Sequence, residues 1–299
     1  MERTGPVEQQ HVRPWSTVLR VPTADGPVWF KAANRDTGFE PALYALLERV
    51  APERILTPLA VDEERRWLLL PDGGPTLGER AEGSALVEGF AEALPRYAEL
   101  QLALAPRTEE LLGLGIADMR AETMPHRFDE ALDAARDYAR TGEAHAGLDQ
   151  VAGLRDDVAA WSERLAAAPV APSLDHNDLH PWNVLPGAGG SVRFYDWGDA
   201  VVAHPFASAL AIGFLPFELS EHDAERLRDA YLEPFGGLAP HVELVEALVL
   251  ACRLGKIART LTWHRAISAE GPDEVPERWL DGPVASLTSL LEDTWLGRA

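Results

Sequence analysis

The chain has one cysteine, Cys252, so no disulfide can form within it. A lone thiol suits a reducing interior, and the expected compartment is the cytoplasm. Its longest apolar run, 244–252, is interrupted by Glu246 and falls well short of the roughly 20 residues that cross a bilayer. The opening stretch, Met1-Glu2-Arg3-Thr4-Gly5-Pro6, lacks the basic start and apolar block of a secretion signal. Positive charge is scarce: 27 basic residues face 48 acids, for a formal net charge of -21. Such a surface repels a polyanion, which excludes nucleic acid as a general partner. Lysine is scarcer still, with only Lys31 and Lys256 against a background of arginine. A position that keeps lysine calls for a compact, flexible point charge in place of a rigid planar fork.

What is present is an ordinary globular composition, 46% hydrophobic over 299 residues, enough for one large domain or two lobes around a cleft. Residues 17–21 and 28–32 have strand composition, and Thr23-Ala24-Asp25-Gly26 supplies the turn between them. Lys31 stands near the end of the second strand. A helical pattern follows from about Gly38, with Leu43, Leu46, Leu47 and Val50 at helical spacing and Pro52 as its stop. Glu40 falls within that apolar stripe, so its carboxylate points inward and needs a partner. Lys31, nine positions earlier, is the expected one. An acid in the first turn is also favoured by the helix dipole alone.

Residues 55–60 and 67–70 read as two further strands, which Pro71-Asp72-Gly73-Gly74-Pro75 ends abruptly. The expected organisation is therefore an N-lobe over 1–70, a hinge at 71–75 and a helical C-lobe over 76–299. Pro71 has no N–H to offer a base, so a backbone donor in the hinge would come from Asp72 or Gly73. Helices are expected at 76–81, 86–104, 108–112, 126–139, 148–168, 205–214, 222–231, 242–266 and 276–296. One hairpin, 184–185 with 192–195, interrupts them. The first ten residues or so and 268–273 read as the mobile pieces. The fold class is α+β, a small antiparallel sheet followed by a large helical part.

The chemistry concentrates in Asp175-His176-Asn177-Asp178-Leu179-His180-Pro181-Trp182-Asn183 and in Asp196-Trp197-Gly198 after the hairpin. Phosphoryl transfer asks a protein for positioning, charge neutralisation and a group that receives the acceptor's proton. Asp178 can orient a hydroxyl and accept its proton. Asn183, five residues on, offers magnesium an amide oxygen without another negative charge. Asp196 is the expected magnesium carboxylate, and Lys31 the cation for the phosphates of ATP.

These residues resemble the signature of the aminoglycoside phosphotransferases and their relatives, including choline and related small-molecule kinases, a branch of the protein-kinase-like fold. The family pattern is His-Gly-Asp-x-His-x-x-Asn, then a strand and Asp-Trp or Asp-Phe. The resemblance implies a two-lobed protein-kinase-like fold. It also implies a catalytic Asp178, metal ligands Asn183 and Asp196, a phosphate-binding Lys31 paired with Glu40, and a loop-bracing His180. ATP and Mg2+ would be the cofactors, and a small, possibly cationic hydroxyl acceptor such as an aminoglycoside the partner. Asn177 stands where the family has glycine, a replacement that suits the site if the backbone there needs positive φ, which Asn accepts better than most residues. No glycine-rich motif precedes Lys31, and Asp196 runs into His204-Pro205 without room for an activation loop. Both absences favour a small acceptor over a peptide.

Two rival expectations follow from the same stretch. Asp175, His176, Asp178 and His180 could face one way as the ligands of a metal-dependent hydrolase, though this leaves Asn183, Asp196 and Lys31 unused. A non-catalytic nucleotide-binding scaffold would be expected to lack one of the chemical residues, and none is missing. Asp199 is expected to meet a metal, a cationic acceptor or the next helix as a cap. Lys256, Arg259 and Trp263, at helical spacing, are expected to form one solvated face with a partly buried indole, or else to line the acceptor pocket.

Overall fold

The turn residues Thr23–Gly26 fold strands β2 (Ser16–Val21) and β3 (Val28–Ala33) into an antiparallel pair, with Gly26 at φ 107°, a backbone that favours glycine. A computed structural model describes residues 1–215, 219–268 and 275–292. Strand β1 (Glu8–Arg13) pairs with β2, which corrects the expectation that the first residues are mobile. Its polar sequence carries no strand alternation, and what orders it is the free edge of β2. Strands β4 (Ala60–Asp62) and β5 (Trp67–Pro71) complete a five-stranded sheet in the order β1-β2-β3-β5-β4. The expected strand at 55–60 is therefore wrong over most of its length. Pro58 removes a ladder donor, and Ile55 and Leu56 bury their side chains instead, Ile55 bridging to Phe194 of the later hairpin. Helix α1 (Glu40–Val50) covers this region with Leu43, Tyr44, Leu46 and Leu47 fully buried.

After Pro71 the chain is dominated by helices: α2 (Leu77–Arg80), α3 (Gly83–Leu104), α4 (Thr108–Gly113), α5 (Met124–Tyr138), α6 (Gly142–Ala152), α7 (Arg155–Ala166), α8 (Glu221–Leu232), α9 (His241–Ser268), α10 (Glu277–Leu280) and α11 (Gly282–Thr288). The expected single helix at 148–168 is two, because the chain breaks at Gly153-Leu154. The expected helix at 276–296 breaks at Asp281-Gly282-Pro283, and 293–296 lie outside the described residues. Residues Pro205–Phe214 form a 3-10 run in place of the expected α-helix. Residues 269–273 of the expected mobile segment also lie outside the described residues.

Three short strands that composition did not reveal, β6 (Ala117–Met119), β7 (Ser173–Asp175) and β10 (Val201–Ala203), form a small sheet in the order β6-β10-β7. The hairpin of β8 (Val184–Pro186) and β9 (Val192–Phe194) lies as its sequence predicts. Beneath them runs a buried polar network. Gln101 Nε2 donates to the carbonyls of Leu174 and Pro205 at 2.9 and 3.1 Å, and Tyr231 Oη donates to Gln101 Oε1 at 2.6 Å. Tyr97 Oη accepts from the His176 amide at 2.8 Å. Two helices, α3 and α8, thereby hold the strand that delivers Asp178, through groups whose loss would leave buried carbonyls unpaired.

Candidate active site

Strand β3 ends beside α1, and the inward first-turn position of Glu40 brings its buried carboxylate to Lys31: Nζ lies 2.8 Å from Oε1. The Trp197 amide donates to the same oxygen at 3.1 Å, which ties α1 to the segment after the hairpin. Burial pushes the Glu40 carboxyl above its ordinary value, while Lys31 and the Trp197 amide pull it down. Nζ also meets Asp196 Oδ1 at 2.5 Å. For Lys31 burial opposes the charge, but the two carboxylates outweigh it and hold the ammonium well above its usual range.

Asp196 adopts φ 64°, a left-handed backbone that Asp tolerates better than most residues, and this turns a half-exposed carboxylate into the cleft. Burial would raise its pKa, and the Lys31 ammonium reverses that, so the carboxyl sits below the usual range. Asn183 lies across the hairpin, its carbonyl accepting from the Tyr195 amide at 3.3 Å. Its side-chain Nδ2 donates to the Asp178 carbonyl at 2.9 Å, which fixes the amide with its oxygen turned the other way. A carboxylate and an amide oxygen are the donor chemistry of a hard divalent cation.

Asp178 is held from three sides. Arg259 Nη2 of α9 donates to Oδ1 at 3.0 Å, while His180 Nε2 and Asn183 Nδ2 face Oδ2 at 3.3 and 3.4 Å. Burial alone would raise this carboxyl, but Arg259 and then His180 overcome it and keep it well below the ordinary carboxylate range. His180 in turn is raised: burial disfavours its charge and Asp178 favours it more. Asn177 has φ 57°, as its place in the motif requires, and its side chain donates to Thr262 Oγ1 of α9 at 2.8 Å. Arg259 Nη1 donates to the Asn177 carbonyl at 2.5 Å and lies 3.4 Å from Asp199 Oδ2.

Of the two expectations for Lys256, Arg259 and Trp263, a shared solvated face or a shared pocket wall, neither holds for all three: Arg259 and Trp263 line one cavity and Lys256 does not. Arg259 is buried against the loop, and Lys256 is turned away to donate to the Ser289 carbonyl at 2.5 Å. A four-residue helical repeat says which residues share a face and not which partner that face meets. A guanidinium at 259 could have been found only by knowing that α9 passes under the Asp178 loop.

The hydrolase arrangement does not form. His176 is fully buried, its Nε2 donating to the Tyr195 carbonyl at 3.0 Å and its ring 4.5 Å from that of Trp197. Burial keeps it neutral, its pKa below the ordinary value. Asp175 points into the core, its Oδ1 accepting from Ser208 Oγ at 2.5 Å and from the Asn177 amide at 2.8 Å. Among the described residues no three His, Cys, Asp or Glu side chains are grouped to hold a metal.

Burial lifts the Asp175 carboxyl to about 6 against the pull of Ser208 and the Asn177 amide. The folded chain thus holds this proton more tightly than the unfolded chain does, so its stabilising contribution is complete below about pH 4 and lost as pH rises through about 6. Urea midpoints of the wild type and Asp175→Asn should diverge over that interval, the variant gaining relative stability with rising pH. Parallel curves would show that Asp175 ionises in the fold as it does in the unfolded chain.

Two cavities open on these groups. The larger, about 660 Å3, runs between the five-stranded sheet and the hairpin, with Val18, Leu56, Leu70 and Leu185 as apolar lining and Pro71–Pro75 along its edge. Asp72 accepts from Trp29 Nε1 at 3.2 Å, and Gly73 lies so close to Leu185 that a Cβ there would come within 2.6 Å of Cδ1. The smaller, about 320 Å3, is lined by Asp178, Asp199, Arg259 and three tryptophans. Lys31 and Asp196 line both, as do Arg13 and Trp15, so a molecule in one cavity meets a molecule in the other across them. A phosphorylated ligand in the first can be presented to a hydroxyl in the second.

The model of the phosphotransferase enzyme family matches residues 11–244. No curated protein matches the chain. Solved structures similar to it include a choline/ethanolamine kinase family protein from Mesorhizobium loti, 20% identical over 99% of this chain and 91% of that one, with a TM-score of 0.56. A choline kinase from Streptococcus pneumoniae is 15% identical over 97% and 95%, TM-score 0.61. A macrolide 2′-phosphotransferase from Brachybacterium faecium is 16% identical over 95% and 91%, TM-score 0.57. At such identities the likeness is one of fold, and it bears out the two-lobed kinase-like architecture read from the sequence.

Proposed function

We propose that this chain, which belongs to the phosphotransferase enzyme family, transfers the γ-phosphate of ATP to a hydroxyl of a small molecule, working in the cytoplasm. The observation that carries the reading is the pair of cavities meeting at Lys31 and Asp196, with Asp178 on the far side. Adenine lies in the larger cavity between an N-lobe of residues 1–70 and a C-lobe of 76–299, against the 71–75 hinge. Backbone groups of Asp72 and Gly73 contact it there, because Pro71 has no N–H. Lys31, oriented by Glu40, binds the non-transferred phosphates. Asn183 and Asp196 hold Mg2+, which when bound neutralises charge on the phosphates. Asp178 orients the acceptor hydroxyl and takes its proton late, a role suited to a group that stays ionised.

The test is ADP release from ATP over a panel of aminoglycosides, sugars, amino alcohols and uncharged ring alcohols, with Mg2+ and with EDTA. Acceptor-dependent release that EDTA abolishes is expected. ATP binding without turnover by any acceptor would favour a scaffold, and metal-independent release would overturn the assignment.

A further inference from the structure

Resting on the kinase reading above, we propose that the acceptor is an uncharged ring compound bearing hydroxyls, held against indoles, and not the polycation that a molecule of charge -21 would draw. The walls of the smaller cavity are the rings of Trp15, Trp263 and Trp279. Trp15 meets Trp279 at 4.9 Å and 61°, and Trp263 at 6.2 Å and 87°, so the indoles stand at steep angles around the space. Trp263 is fixed from behind, since a Cβ on Gly282 of α11 would come within 2.7 Å of its ring. A cavity of about 320 Å3 with such walls accepts one or two rings.

Charge decides the class. Indole faces attract cations, but two of these faces already carry the chain's own: Arg13 lies 5.5 Å over Trp15 and Arg259 lies 5.7 Å over Trp263. The carboxylates that would receive an ammonium are answered as well. Arg259 reaches Asp178 at 3.0 Å and Asp199 at 3.4 Å, and Asp196 is taken by Lys31 at 2.5 Å. Among the described lining residues the three carboxylates Asp178, Asp196 and Asp199 stand with three cations, Arg13, Lys31 and Arg259, and Lys31 is shared with Glu40 behind it at 2.8 Å. A cationic acceptor would have to displace a guanidinium from its ring or its carboxylate, whereas an uncharged ring needs only the apolar indole surface and one hydroxyl directed at Asp178.

The experiment uses the full chain and three matched probes, the para-ethyl, para-aminomethyl and para-carboxy phenyl β-glucosides, which share every sugar hydroxyl, are close in size and differ in charge. Binding is read by tryptophan fluorescence with Mg2+ and a non-hydrolysable ATP analogue present. The uncharged probe is expected to bind about tenfold more tightly than the ammonium probe, and Arg13→Glu to shift that ratio about tenfold toward the ammonium. An ammonium or carboxylate probe binding the wild type as tightly as the uncharged one, or no probe binding at all, would overturn the proposal. Binding of the ATP analogue is measured first. Its failure would sink the kinase reading itself, while analogue binding with a preference for the ammonium probe sinks only the acceptor class.

Discussion

Asp196→Ala should reduce Mg2+-dependent ADP release by about a thousandfold or more, with the folded structure retained. A metal held on a transferring phosphoryl group contributes several kcal/mol of transition-state stabilisation, and about 4 kcal/mol corresponds to a factor of a thousand. The side chain removed is half-exposed and buries little apolar surface, so no cavity opens in the core. Two structural effects have to be separated from the chemical one. The backbone at 196 has φ 64°, where alanine is disfavoured by roughly 1–2 kcal/mol. Lys31 also loses one of its two carboxylate partners but keeps Glu40 at 2.8 Å. Asp196→Asn answers both, since Asn tolerates the left-handed backbone and keeps an oxygen near Lys31. The two variants should share the loss of turnover while differing in urea midpoint, and normal turnover in either would falsify the metal role.

How far the sequence carries can be read from individual residues. Lys31, Glu40, Asp178, Asn183 and Asp196 were legible because each belongs to a local pattern: a strand end, an inward helix position, a loop of fixed spacing, a hairpin. The first sheet was legible where strands are five or six residues long and bounded by turn residues. Strands of three residues, such as β6, β7 and β10, are too short for an alternation to register. They exist because each completes a ladder with a partner distant in the chain. Strand β1 is a different case, polar in sequence and ordered by the open edge of β2 just after it in the chain. Most of what supports the loop was illegible because its partners, too, are distant. Gln101 and Tyr97 on α3, Tyr231 on α8 and Arg259 on α9 act through contacts 73 to 130 positions apart in sequence. Spacing on a helix could show only which of them share a face. Asn177 is the instructive exception. Its departure from glycine could be rationalised by backbone conformation alone, but the use made of the added side chain, a bond to Thr262 at 2.8 Å, requires knowing where α9 lies.

The other large effect is expected at Asp178. Asp178→Asn preserves shape and one acceptor oxygen for Arg259, and removes the ability to take a proton from the acceptor. General-base contributions are about 10²–10⁴-fold, and the fall should appear in kcat, with the KM for ATP nearly unchanged, because the residue faces the acceptor cavity and not the larger one. Its electrostatic setting shapes the pH dependence. Arg259 and His180 hold the Asp178 carboxyl well below the ordinary carboxylate range, so it is ionised at neutral pH. The wild-type rate should therefore show no acid limb due to this residue near neutral pH. Losing the ion pair with Arg259 carries a modest stability cost, because the guanidinium keeps the Asn177 carbonyl at 2.5 Å and Asp199 at 3.4 Å. Steady-state kinetics against both substrates, with urea midpoints alongside, separates the two. A variant with normal kcat and a raised KM for the acceptor would make Asp178 a binding group alone, and the proton would then have to leave the hydroxyl by another route.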